Sequence, residues 1–178
     1  MAPTRRPPEG DPGTVNPTIL HGYFAGAVGQ ITEAHAVYYH THWGFDVSFE
    51  AQVARELSEF AAGFDPGRDG LWVARQEEGF AGSIAIDGRH AETAGARLRW
   101  FIVPLKFMGA SIGRQLIQQA VGFCQDRGYP KIYLWTFEGL NAARRVYEKS
   151  GFRLCEEHDV AQWGQQIREQ KFELGLGS

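Results

Sequence analysis

The segment Phe101-Ile102-Val103-Pro104-Leu105-Lys106-Phe107-Met108-Gly109-Ala110-Ser111-Ile112-Gly113-Arg114 decides how this chain is read. An apolar strand pattern enters a loop of small residues, and the loop opens directly into a helix pattern. Such a junction aims the unpaired N–H groups of a helix's first turn, and the positive end of its dipole, at one spot. That spot is a natural seat for phosphate. Gly109 and Gly113 carry no side chain to obstruct a pyrophosphate approaching the backbone. The same glycines equally suit a tight turn with close helix–strand packing, and a short glycine pattern does not choose between the two.

Outward from this junction the pattern alternates strands and helices. Residues 96–103 form the longest strand candidate, with Leu98, Trp100 and Ile102 on one face and Arg97, Arg99, Phe101 and Val103 on the other. Residues 111–127 read as a helix whose buried stripe is Ile112, Leu116, Ala120 and Cys124, closed by Gly128 at C′. Downstream come a short strand (131–136), a helix (140–149) ended by Ser150-Gly151, and two strands (152–157 and 167–174) expected to be antiparallel. Upstream, strands 71–76 and 80–86 flank a hairpin turn at Glu77-Glu78-Gly79. Before them lie helices at 33–42 and 48–60, the second with Phe49, Val53, Leu57 and Phe60 on one face and Ser48 as N-cap. Residues 20–32 give a weak strand signal around Gln30. The sum is a mixed α/β domain.

Bulk properties narrow the class. The 178 residues allow one sizeable core. Residues 1–18, rich in proline, read as a flexible arm ahead of a single domain over 19–178. A net charge of −3 supplies no general attraction to nucleic acid. No apolar run reaches the roughly 20 residues that span a bilayer, and no secretory pattern opens the chain, so membrane association is not expected and a cytoplasmic location is. Cys124 and Cys155 sit in apolar runs and read as small buried residues.

The junction resembles the acetyl-CoA loop of the Gcn5-related (GNAT) N-acetyltransferases, (Arg/Gln)-x-x-Gly-x-(Gly/Ala). Met108 falls on the first position, Ser111 on the middle glycine and Gly113 on the last. A second family signature is matched by Leu134-Trp135-Thr136 and by the run Ala143-Arg144-Arg145-Val146-Tyr147-Glu148-Lys149-Ser150-Gly151-Phe152. From Gly29 onward the chain looks most similar to the acetyltransferase half of MarR–GNAT fusion proteins, with Trp43-Gly44-Phe45-Asp46 and Trp163-Gly164 part of that likeness and no MarR portion read here.

The resemblance implies a central, mostly antiparallel sheet flanked by helices, with splayed central strands. It also implies transfer of acetyl from acetyl-CoA, as co-substrate, to a primary amine of a small molecule or peptide by direct attack in a ternary complex. Phe101, Ile102 and Val103 would pair with the pantetheine arm. Met108, Gly109, Ala110, Ser111, Ile112, Gly113 and Arg114 would hold the pyrophosphate, with Asn141 beside the arm. Tyr147 would be the general acid; read alone, Leu140, Ala143 and Tyr147 make a core stripe.

No general base is legible; Glu33, Glu50, Asp87, Glu138 and the histidines are candidates, and the cluster Tyr38, Tyr39, His40, His42, Trp43 and Asp46 is expected to wall the acceptor site. His35, His40 and His42 do not share a helix face, so no metal is expected. Arg97 and Arg99 would attract anions or pair with carboxylates, Arg144-Arg145 would solvate their helix, and Trp163-Gly164 would turn beside the acceptor or pack a corner. Met108 and Ser111 depart from the loop pattern, which gives an alternative: a catalytically weak CoA-binding or ligand-sensing module. An aromatic content of 13% is compatible with a homodimer interface without requiring one.

Overall fold

A computed structural model describes residues 16–177, apart from Glu78 and Ala110. Residues 1–15, most of the expected arm, therefore lie outside the described residues. The elements run β1 (Thr18–His21), α1 (Ala27–Trp43), α2 (Val47–Ala62), β2 (Gly70–Gln76), β3 (Gly79–Asp87), β4 (Ala96–Ile102), α3 (Ile112–Asp126), β5 (Lys131–Phe137), α4 (Asn141–Lys149), β6 (Arg153–Gln162) and β7 (Gln165–Gly175), with one 3-10 turn at Leu105–Phe107. They build a seven-stranded sheet of order β1-β2-β3-β4-β5-β7-β6. Among its neighbours only β4 and β5 are parallel, joined through α3.

Two cores lie on opposite faces. One gathers Leu98, Ile112, Leu116, Cys124, Leu134, Tyr147 and Phe172 beneath α3 and α4. The other gathers Ile31, Phe45, Phe49, Leu57, Trp100 and Phe137 beneath α1 and α2. The stripes predicted for α2 and α3 are buried as expected, and Gly128 takes the left-handed conformation (φ 68°) just past α3.

Four readings need correction. The segment around Gln30 is helical: α1 starts at Ala27 behind Gly26 (φ 95°), and Ala27 and Ile31 anchor its first turns at a spacing of four. Small residues there masked the helical period. The N-cap of α2 is Asp46, whose carboxylate accepts from the Ser48 N–H at 2.9 Å, so Ser48 lies inside the helix. Cys155 is exposed, because β6 is the sheet's edge strand.

The fourth correction shapes the site. Trp100 does not share a face with Leu98: Leu98 packs under α3, Trp100 against Phe60 of α2. In the β3–β4 register Ser83 pairs with Ile102 and Ala85 with Arg99, so β4 holds one extra residue between them. Trp100 (φ 47°) is that bulge, and the Ser83 hydroxyl donates to its carbonyl at 2.8 Å. The bulge bends β4, and β4 pairs with β5 only at Ala96–Ile132 and Arg97–Tyr133. Beyond that point the central strands part.

Candidate active site

Where β4 leaves β5, a groove of about 1120 Å³ opens between the β4 end, the following loop, α3 and α4, and Tyr38 and Tyr39 of α1 close one end. Its size lies just above the roughly 300–1,000 Å³ of small-ligand pockets, which suits an elongated ligand. Phe101, Ile102, Val103, Met108, Gly109, Ser111, Ile112, Gly113, Arg114 and Asn141 all line it. Ala110 lies outside the described residues.

The loop is shaped for close backbone approach. Gly109 (φ 88°) and Ser111 (φ 60°) are left-handed around the start of α3, and a Cβ on Gly109 would meet nothing within 4 Å. Gln115 N–H donates to the Ser111 carbonyl at 3.0 Å; the amides of Ile112 and Gly113 precede it in the first turn, without intrahelical acceptors. A Cβ on Gly113 would stand 3.2 Å from Phe101 Cζ, so glycine lets α3 sit hard against the end of β4. The Ser111 hydroxyl accepts from Gln115 Nε2 at 3.0 Å, which leaves its own proton free to donate. Met108 is 42% exposed on the rim.

Further along, α3 contributes Gln118, Val121, Gly122 and Gln125, and α4 contributes Arg145 and Lys149. The sequence predicts Arg145 on a solvated face with Arg144. The structure separates them: Arg144 pairs with Glu148 at 2.8 Å, while Arg145 lines the groove. Asn141, Arg145 and Lys149 recur every four residues, the spacing that puts side chains on one helix face, and this signal could have found them. Among the described lining residues there are three full cations and no carboxylate.

Tyr147 stands just behind the lining. It is 5% exposed, with its ring 5.5 Å from Phe101, 6.0 Å from Phe152 and 6.1 Å from Phe172. Burial, with a smaller contribution from Tyr39, pushes its phenol well above the ordinary range, so it keeps its proton at any physiological pH. Burial, and secondarily Tyr38, does the same to Tyr39.

The carboxylates weighed as bases are elsewhere: none of Glu33, Glu50, Asp87 and Glu138 lines the groove. Asp87 is held by Arg89 (2.5 Å) and lies 3.9 Å from Arg99, which also pairs with Glu56; the arginines of β4 thus include one spent on internal ion pairs. His35 is buried and its Nδ1 lies 2.8 Å from the Ile31 carbonyl; His40 Nδ1 lies 2.9 Å from the Phe45 carbonyl. No group of three or more metal-ligating side chains occurs among the described residues. Burial pushes the Cys124 thiol up to about 12, unlike a nucleophile. Trp163-Gly164 is the β6–β7 turn, with both residues at positive φ (51° and 77°) as a type I′ hairpin needs. It packs the α1–α2 corner: the Asp46 N–H donates to the Trp163 carbonyl at 3.1 Å, and Trp163 Nε1–H to Gln52 Oε1 at 2.9 Å.

The acetyltransferase (GNAT) family model matches residues 31–152. Among solved structures, an acetyltransferase from Streptococcus agalactiae 2603 superposes with a TM-score of 0.73 at 19% identity, over 90% of this chain and 99% of that one. A GNAT superfamily phosphinothricin acetyltransferase from Sinorhizobium meliloti, in complex with AcCoA, gives 0.68 at 18% identity, over 92% and 90%. The ribosomal-protein-S18-alanine N-acetyltransferase from Escherichia coli gives 0.66 at 15%, over 91% and 95%. Among curated proteins none matches. No helix of the described residues is long and apolar enough to cross a membrane.

Proposed function

The chain belongs to the acetyltransferase (GNAT) family, and from that premise we propose that it transfers acetyl from acetyl-CoA to a primary amine by direct attack in a ternary complex. The observation that carries this reading is the single groove that joins an anion seat to a parted strand edge.

The residues fit the co-substrate. The backbone around Gly109, Ser111, Ile112 and Gly113 would take the pyrophosphate, helped by the α3 dipole and Arg114. Ala110 belongs to the same proposed loop. Arg145 and Lys149 would meet further phosphate charge. Residues 101–103, released from β5, would pair with the pantetheine amides as a strand does, and Asn141 would stand at the α4 side of the arm. Met108 offers no charged side chain, but it lines the groove where the backbone would make the contacts. The thioester supplies an activated acyl carbon. The amine nitrogen forms the new C–N bond, the C–S bond breaks, Tyr147 donates its phenol proton to the departing sulfur, and the proton that the nitrogen loses on becoming an amide returns through water to the phenolate. Holding both partners in line is the largest contribution, worth up to several kcal/mol. The likeness to MarR–GNAT acetyltransferase halves is part of the same proposal and rests on the sequence segments Trp43-Gly44-Phe45-Asp46 and Trp163-Gly164. Cytoplasmic residence follows as part of the same proposal.

Acetyl-CoA-dependent release of free thiol across a panel of primary amines tests the transfer, with calorimetric titration of CoA alongside. Binding with no turnover on any amine would replace the enzyme reading by a CoA-binding sensor; no binding at millimolar CoA would remove both.

A further inference from the structure

The charges of the groove are segregated. Arg114 sits in the first turn of α3, and Arg145 and Lys149 sit further along α4, whereas the end where α1 meets the start of α4 is lined by Tyr38, Tyr39, Gly139 and Leu140, with Ile102 of β4. From Leu140 the α4 axis carries Arg145 about 7 Å and Lys149 about 13 Å away. The tyrosine wall is stiffly backed. Tyr39 rests on Phe45, Phe49 and Phe137 at 4.9–5.7 Å, Tyr38 stands edge-on to Tyr39 at 5.0 Å, and Trp43 covers Gly139 so closely that a Cβ there would meet its ring at 2.4 Å.

The charged neighbours of this end are engaged or turned elsewhere. Asp46 caps α2 through Ser48, and Glu50 shares a separate 250 Å³ recess with His40. Glu138 is exposed and outside the lining, and His42 lies against the Tyr38 ring at 4.8 Å without joining the lining. Among the described residues, no charged side chain lines this end to neutralise a carboxylate or a second ammonium. No carboxylate or histidine among the described lining residues accepts the acceptor's proton either, so the amine must shed it to water as the pocket desolvates it. A ring or alkyl tail against Tyr38, Tyr39, Ile102 and Leu140 favours that desolvation; a further charge on the tail opposes it.

We propose that the acceptor is a primary amine borne on an aromatic or apolar tail with no second charge. This rests on the acetyltransferase reading and narrows it. The test uses the full chain with phenethylamine, spermidine and glutamate as probes, in two measurements: acetyl-CoA-dependent turnover, and calorimetric binding of each probe to the CoA complex. The expected kcat/KM for phenethylamine exceeds that for spermidine or glutamate by about 100-fold or more. Tyr38→Glu, a change on a half-exposed residue, is expected to narrow the gap to spermidine by about tenfold or more. Faster turnover of spermidine or glutamate would overturn the acceptor class and leave the acetyltransferase reading intact. Selective binding of phenethylamine with no turnover would uphold the pocket's ligand class while removing transfer. Absence of both turnover and binding for phenethylamine would overturn the inference outright.

Discussion

The β4 bulge is held by one buried side-chain hydrogen bond, and breaking it should register in both stability and co-substrate binding. Ser83 is 0% exposed and Trp100 is 8% exposed; the Ser83 hydroxyl donates to the Trp100 carbonyl at 2.8 Å. Trp100 falls between the paired residues Arg99 and Ile102, so its carbonyl has no ladder partner in the β3–β4 register. In Ser83→Ala the carbonyl stays buried without its donor, at a cost of about 1–3 kcal/mol. For a chain of this size, 2 kcal/mol lowers Tm by roughly 4–8 °C. A loosened bulge also lets residues 101–103 wander from the geometry that would pair with the pantetheine arm, so KM for acetyl-CoA should rise about three- to tenfold. The acceptor KM should hold, because Tyr38, Tyr39 and Leu140 are fixed by other contacts. Urea unfolding and initial rates over an acetyl-CoA series measure both. A variant within about 0.3 kcal/mol of the parent, with an unchanged KM, would show that the bulge is set by the packing of Trp100 on Phe60 and not by this bond.

Tyr147→Phe should lower kcat by about 100-fold or more while CoA affinity stays within about twofold; unaltered turnover would take Tyr147 out of the acid role. Arg145→Ala with Lys149→Ala should weaken CoA binding and flatten its dependence on ionic strength, since exposed cations act on phosphate through a screened field; an unchanged salt slope would place the phosphates elsewhere. His35 has its pKa lowered to about 4, chiefly by burial, against 6.5 in the unfolded chain. The unfolded state therefore binds the extra proton first, and stability present above pH 6.5 is lost as pH falls toward 4. At pH 5 the loss amounts to about 2 kcal/mol by linkage, and His35→Leu should abolish that slope in urea titrations at pH 7 and pH 5.

The helices that were legible in the sequence are those whose apolar residues recur every three to four positions against one sheet face, as in α2 and α3. The start of α1 was not, because Gly26, Ala27, Val28 and Gly29 carry too little apolar side chain to show a period, and its burial is decided by what α2 and β4 leave uncovered. Trp100 departs from the alternating pattern for a different reason. Strict alternation assumes an unbroken ladder, and a bulge breaks it without any local mark in the sequence: a tryptophan at φ 47° is not what turn chemistry would suggest. Only the pairing partner, β3, reveals the extra residue.

The candidate site divides along the same line. Its loop was legible because small residues between a strand and a helix have one common backbone consequence, open N–H groups at a helix start. Its far end was legible only through the family resemblance, because Tyr38 and Tyr39 lie about 60 residues before Phe101 and meet the groove only through the sheet; of the cluster expected there, His40, His42, Trp43 and Asp46 do not join the lining. Adjacent residues on a helix point about 100° apart, so no periodicity argument would put both tyrosines on one wall. They share it because α1 ends over the parted strands, where the bulge at Trp100 has opened room. The residue that opens the cleft and the residues that close its end rest on different partners, Trp100 on Phe60 and Tyr39 on Phe45, Phe49 and Phe137. A change at Ser83 and a change at Tyr38 should therefore separate cleanly, the first acting on acetyl-CoA and the second on the amine.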